Sequence, residues 1–217
     1  MTSSVIGKSL IGIEARFRKR DLGARASQMI ALFRIDLGID LLDFGDFMSI
    51  PSPAVIHHTS FIVRDLEGTA QRLADALAIG PWNIWTIQPA QCTSYGQPGL
   101  FSFRIALVTI GGGTLELITP HSGRSALDDH LDKHGEGFHH MCLVYPSMES
   151  IHKAKLELRR QGRDVIMEAS AGDVFDLTYV GFAEIGSLVE LLYLDPSKLP
   201  APEVIIQQSV PVGPIAV

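Results

Sequence analysis

Cysteine, basic surplus and long apolar runs are all scarce in this chain, and each scarcity removes a class of answer. Only two cysteines, Cys92 and Cys142, occur among 217 residues. That excludes a disulfide-stapled scaffold, and no Cys-x-x-Cys zinc pattern exists. A reducing, cytoplasmic setting is the default expectation. The net charge is −6, so the chain lacks the basic footprint that nucleic acid requires. No apolar run reaches membrane-spanning length, and the N-terminus lacks the compact apolar core of a secretion signal. What remains is a chain with 46% hydrophobic and 19% charged residues. That composition belongs to a globular and somewhat apolar protein, not a disordered one, with no nucleic acid or membrane expected as partner.

The first 50 residues differ in kind. Residues 1–34 carry seven Lys or Arg against two acids, and residues 35–50 carry Asp36, Asp40, Asp43 and Asp46 with no base. The expected element is a helical N-terminal extension over 1–50, packed on the domain or on a second subunit. The alternative is a mitochondrial presequence, which is also Arg-rich and Ser-containing. The segment "SIPSP" at 49–53 marks the boundary.

After that boundary the chain spells one pattern twice. A strand is predicted over 56–64, then a helix in "RDLEGTAQRLADALAIG", with Asp65 as its cap and Gly80 as its stop. Strands follow over 83–88, 101–110 and 114–119, the last two joined through Gly111, Gly112 and Gly113. The second copy predicts a strand over 138–145 and a helix in "PSMESIHKAKLELRRQG", capped by Ser147 and ended by Gly162. Lys155 is placed on the inner face of that helix, with its charge turned outward. Strands over 164–168, 176–184 and 187–194 complete it. The fold class is therefore α+β, built from tandem βαβββ modules over 54–120 and 138–196. A linker at 121–137 holds a short helix, and a tail covers 197–217.

Each copy opens on adjacent histidines, in "VIHHTSFIV" at 55–63 and "GFHHMCLVY" at 137–145. Strand alternation separates the members of each pair. His57 and His139 fall with the bulky residues, toward the helix of their own module. His58 and His140 fall with small residues, toward a cavity. The last strand of each copy, "GTLELITP" and "GSLVELLYL", carries one acid in an apolar run, Glu116 and Glu190. A buried carboxylate needs a cation or a wet cavity. Two histidines and two glutamates at equivalent places of a duplicated unit form a set suited to a divalent metal: Zn, Ni, Co, Fe, Mn or Mg.

The segments "HHTSFIVRDLEGT", "LELITP", "LDKHGEGFHHMCLVY" and "GSLVELLYL" resemble the vicinal oxygen chelate (glyoxalase / bleomycin resistance / dioxygenase) superfamily. The likeness spans about 54–196 and is nearest to the methylmalonyl-CoA epimerase-like branch. It implies an open, cup-shaped mixed sheet around a divalent metal held by His58, Glu116, His140 and Glu190. It also implies a small-molecule substrate with vicinal oxygens, and leaves a homodimer open. One departure stands out. Epimerases of this branch use a further acid on an early strand, whereas this chain has no Asp or Glu between Asp75 and Glu116.

The implied chemistry is that of a lyase or isomerase, moving a proton next to a carbonyl through a metal-bound enediolate or enolate. Glu190 is read as the proton carrier, with Glu116 second. The alternatives are a ring-cleaving dioxygenase and a non-enzymatic ligand-binding protein of the same fold. Weaker candidates are Arg104 for a substrate carboxylate, Trp82, Trp85, Tyr95 and Phe101 for an apolar wall, and His121 at the pocket mouth. His130 and His134 read as a solvated helix face, and Cys142 as cavity lining.

Overall fold

The computed structural model describes residues 50–209. The arm read at 1–50, up to Ser49, and the end of the tail lie outside them. The first module runs β1 (Val55–Ile62), α1 (Leu66–Leu77), β2 (Trp82–Ile87), β5 (Ser102–Ile110) and β6 (Gly113–Ser122). Between β2 and β5 lie two short strands, β3 (Gln91–Ser94) and β4 (Gln97–Pro98). The linker helix α2 spans Ala126–His134. The second module runs β7 (Gly137–Val144), α3 (Met148–Arg160), β8 (Val165–Ala171), β9 (Phe175–Phe182) and β10 (Ser187–Leu194), and β11 (Val204–Ile206) follows.

Local chemistry accounts for the helices. Asp65 accepts from the Gly68 N–H at the start of α1, and Leu66, Ala70 and Ala74 bury one face at helical spacing. Ser125 and Asp128 form a reciprocal capping box on α2. Ser147 caps α3, whose Ile151, Ala154 and Leu158 are buried. Helix α1 ends earlier than expected: Ala78, not Gly80, takes the left-handed conformation at its C-terminus.

All strands join one sheet in the order β11-β2-β5-β6-β1-β7-β10-β9-β8-β3-β4. Its centre is a near-symmetric arrangement. β1 and β7 are antiparallel neighbours, β6 runs parallel to β1, and β10 runs parallel to β7. Strands β3, β4 and β11 were not anticipated. β3 leaves the first module and pairs with β8 of the second, setting Cys92 opposite Ala169. β11 extends the other edge, setting Ile205 opposite Asn83.

Helices α1 and α3 cover one face of the sheet. Val63, Ala106, Val108 and Leu117 pack with α1. Leu143, Tyr145, Val189 and Leu191 pack with α3. The opposite, concave face carries a third cluster that includes Ile62, Phe103, Ile118, Cys142 and Tyr179, closed at one end by Leu127 and Leu131 of α2. Lys155 departs from its expected placement. Its Nζ lies 2.7 Å from Asp176 and 2.9 Å from Glu168, so the charge is turned onto the sheet. Among the described residues, no helix is long and apolar enough to cross a membrane.

Candidate metal centre

The central β1–β7 pair positions the histidines, and its register is interrupted twice. Ile56 faces Leu143 and His58 faces Cys142, which leaves His57 unmatched. Ser60 faces His140 and Phe61 faces Phe138, which leaves His139 unmatched. The first histidine of each pair is thus the extra residue of a β-bulge, a device that re-aims side chains. The second histidine of each pair follows the alternation. His58, Ser60 and Ile62 are buried on β1, as are His140 and Cys142 on β7.

Each glutamate lies beside a histidine strand. Glu116 on β6 stands between Ser60 and Leu107, and Glu190 on β10 stands between Cys142 and Tyr179. They are 5% and 3% exposed. The four side chains meet by their tips. His58 Nε2 and His140 Nε2 are 3.2 Å apart. Glu190 Oε2 lies 3.1 Å from the first and 3.2 Å from the second. Glu116 Oε2 lies 3.5 Å from both.

The separations among His58, His140 and Glu190 fit a common central ion, with Glu116 standing further out beside the two histidines. Ligand bonds of ~2.0–2.1 Å in a tetrahedral site give edges of about 3.3 Å between ligand atoms. The N···O contacts have hydrogen-bond length, yet Oε2 of each glutamate has no directed donor. Two buried, unsatisfied carboxylate oxygens facing two imidazole nitrogens are costly without a cation. Imidazole with carboxylate suits a borderline or hard divalent metal. His58, His140 and Glu190 form the tightest set, with ligand atoms all within 4.8 Å of one another.

The electrostatics carry the same sign. Burial alone would depress the imidazolium of His58, but Glu116 and Glu190 outweigh it and raise its pKa to about 9. Burial would raise the Glu190 carboxyl, yet His140 and His58 hold it well below the usual carboxylate range. The cluster is therefore a buried, carboxylate-rich site that favours positive charge. Cys142 sits beside it as a protonated thiol, pushed up by burial and then by Glu190.

Sequence alternation placed His57 and His139 against the helices, and the structure corrects this. His57 lines the same cavity as His58. The ring neighbours of His139 are His130 of α2, His140 and Tyr179. In each pair the two Nδ1 atoms are 2.8 Å apart. Burial, followed by the adjacent histidine, lowers the pKa of both His57 and His139. The repeated His-His doublet was the signal for them, but alternation cannot reveal a bulge.

The cavity in front of the cluster measures about 90 Å³ and draws its wall from both modules. Trp85 lies on it, with its indole N–H donated to the Pro200 carbonyl. Trp82 is buried under α1, Phe101 lies in the concave core, and Tyr95 is exposed. Arg104 is turned away and paired with Glu67 at 2.7 Å. The rings of His130 and His134 are 4.9 Å apart, but they join no converging metal-donor group among the described residues. His121 is exposed.

The family model described as Glyoxalase/Bleomycin resistance protein/Dioxygenase superfamily matches residues 57–182. No curated protein sequence matches the chain. Solved structures of similar fold include a methylmalonyl-CoA epimerase in complex with methylmalonyl-CoA and NH4+, at 21% identity and a TM-score of 0.50, covering 69% of this chain and 100% of that one. A variant of the Streptomyces coelicolor methylmalonyl-CoA epimerase in complex with 2-nitronate-propionyl-CoA gives the same identity, TM-score and coverage. The Mycobacterium tuberculosis methylmalonyl-CoA epimerase is 19% identical with a TM-score of 0.46, covering 70% of this chain and 97% of that one. These likenesses concern the fold. The family match spans more than half of the chain, and the chain belongs to the Glyoxalase/Bleomycin resistance protein/Dioxygenase superfamily.

Proposed function

We propose that this protein is a divalent-metal-dependent lyase or isomerase that moves a proton next to a carbonyl. The observation that carries the reading is the convergence of His58, His140 and Glu190, with Glu116 beside both histidines and both glutamate Oε2 atoms unsatisfied. A metal held there supplies Lewis-acid stabilisation to oxygen charge that develops on the substrate. The protein's own residues do the rest. Glu190 accepts the proton from the carbon next to the carbonyl. The electrons of that C–H bond move into the carbon–carbon bond and onto oxygen, giving an enediolate or enolate. The proton on Glu190 then passes to the neighbouring carbon, or Glu116 in its protonated form delivers a proton to the opposite face of the same carbon, with Glu190 protonated and Glu116 ionised at the end of that turnover. Glu116 stands on the opposing module as the second carrier. The apolar wall limits water access to the carbanionic intermediate.

The test is metal analysis of the purified protein together with a substrate panel: 2-oxoaldehyde–thiol adducts, acyl-CoA thioesters and catechols. The expected result is about one divalent ion per chain and solvent deuterium appearing at the α-carbon of a turned-over substrate. Absence of metal uptake overturns the reading. Oxygen consumption with ring cleavage moves the protein to the dioxygenase class.

A further inference from the structure

Outside the chelating cluster and its neighbour His57, the cavity wall is almost free of polar groups. The first module contributes Trp85 and Phe103, the second Phe175, Leu177 and Leu192, and Leu199 adds the chain beyond the last module strand. Among the described residues, no Lys, Arg, Asn or Gln lines it. The phenol of Tyr179 is the one further polar group, and its ring lies 4.7 Å from that of His140, beside the cluster rather than across the wall. The indole N–H of Trp85 is already donated to the Pro200 carbonyl, and Arg104 is held by Glu67. The one strong polar feature is therefore the cluster itself.

We infer that the part of the substrate held in the cavity is charged or strongly polar only at its pair of vicinal oxygens, and that these are attached directly to an uncharged aromatic or branched aliphatic group. This deepens the metal-centred reading above and rests on it. An apolar body gains ~25 cal/mol for each Å² removed from water on this wall. A carboxylate or phosphate on that body loses its hydration and finds no cation in return. The enclosed space is smaller than an engineered apolar cavity of ~150 Å³ that takes up benzene. It therefore holds the head and the first few carbons, while a larger body emerges at the mouth. Such selection differs from that of a site accepting a carboxylated acyl group, which needs a charge partner for each acid.

The experiment compares two probes with one chelating head on the metal-loaded full chain: 4-methylcatechol and 3,4-dihydroxybenzoate. They differ by a methyl group against a carboxylate at one ring position. Calorimetric titration is expected to show 4-methylcatechol binding about 100-fold more tightly. Ile105→Lys adds a cation to a half-exposed wall position, and Leu194→Lys does so on the other module. At least one of them is expected to narrow the gap tenfold or more, with metal content unchanged. Equal affinities in the wild type, tighter binding of the benzoate, or no binding of either probe would overturn the inference. If the protein takes up no metal, the reading of the centre fails separately. The wall is then tested on the metal-free protein with 4-ethylphenol against 4-hydroxybenzoate, where preference for the phenol upholds the inference and its absence overturns it.

Discussion

The Nδ1 atom of His139 lies 2.8 Å from the Nδ1 atom of His140. One ring must donate and the other accept. Burial and the neighbouring His140 and His130 disfavour a charged His139, and holding a metal through Nε2 places the His140 proton on Nδ1, so in the metal-bound form a neutral His139 serves as acceptor. That tautomer leaves the His140 Nε2 lone pair for a metal ion. His57 and His58 repeat the contact at 2.8 Å in the first module. Hydrogen bonds to the far nitrogen of a metal-binding imidazole orient the ring, and losing one typically lowers metal affinity 10–100-fold. His139→Ala is expected to do so in a competitive chelator titration, and His139→Asn, which keeps an acceptor, to recover most of the loss. Unchanged affinity in His139→Ala would remove this role.

Metal removal should be visible in stability as well as in activity. A ligand that binds only the folded state at 100 times its Kd stabilises it by about 2.7 kcal/mol. Chelation is expected to lower the melting temperature, and His140→Ala to abolish the metal-dependent part. The pH dependence has a defined sign. His58 in the metal-free protein is raised from 6.5 to about 9. Its contribution to the metal-free fold is complete below pH 6.5 and is lost as pH rises toward 9. Metal binding needs the deprotonated ring and gains over the same range. The melting-temperature gap between loaded and metal-free protein should therefore widen from pH 6.5 to 9. A constant gap would contradict the proposed ligation by His58.

Lys155 provides a prediction remote from the centre. Its ammonium is held between Asp176, which is 4% exposed, and Glu168. Lys155→Met leaves Asp176 with His152, at 2.9 Å, as its remaining charged or hydrogen-bonding side chain and is expected to destabilise the fold by about 2 kcal/mol at neutral pH, measured by urea unfolding. Burial would raise the Glu168 carboxyl, but Arg159 and Lys155 pull it below its ordinary value of 4.5. Its share of stability is present above 4.5 and lost as the pH falls below it, so the gap between wild type and variant should narrow in acid. A wild-type level of stability at pH 7 would show that the pair is solvated.

Most of the duplicated frame was legible because its signals are local. The helix faces of α1 and α3, the caps Asp65 and Ser147, and the strand bearing each glutamate follow from spacing along the chain. The glutamates and the second histidine of each pair were legible through recurrence in both copies. What escaped depends on distant partners. The β3 segment "QCTS" has no alternating pattern and becomes a strand only against β8, some 75 residues away. The orientation of Lys155 depends on carboxylates from β8 and β9. The bulges at His57 and His139 exist only in the pairing of β1 with β7, and period-two counting passes over them.

The two glutamates are not geometrically equal, and that difference assigns their roles experimentally. Glu190 Oε2 stands 3.1 and 3.2 Å from the two histidine Nε2 atoms, whereas Glu116 Oε2 stands 3.5 Å from each. Glu190 is thus the more firmly engaged with the histidines, and replacing it should weaken metal binding more. Glu190→Gln is expected to lower metal affinity at least tenfold, and Glu116→Gln less. Activity must then be compared at saturating metal, so that occupancy is equal. Under that condition loss of the proton carrier costs about 10²–10⁴-fold in rate. With Glu190 as carrier, Glu190→Gln stays that far below the wild type while Glu116→Gln retains more of its turnover. Solvent deuterium incorporation should fall in step, because the same carboxylate takes the proton and exchanges it with solvent before reprotonation. If Glu116→Gln is the dead variant at full occupancy, the proton belongs to the glutamate of the first module, and Glu190 is a metal ligand alone.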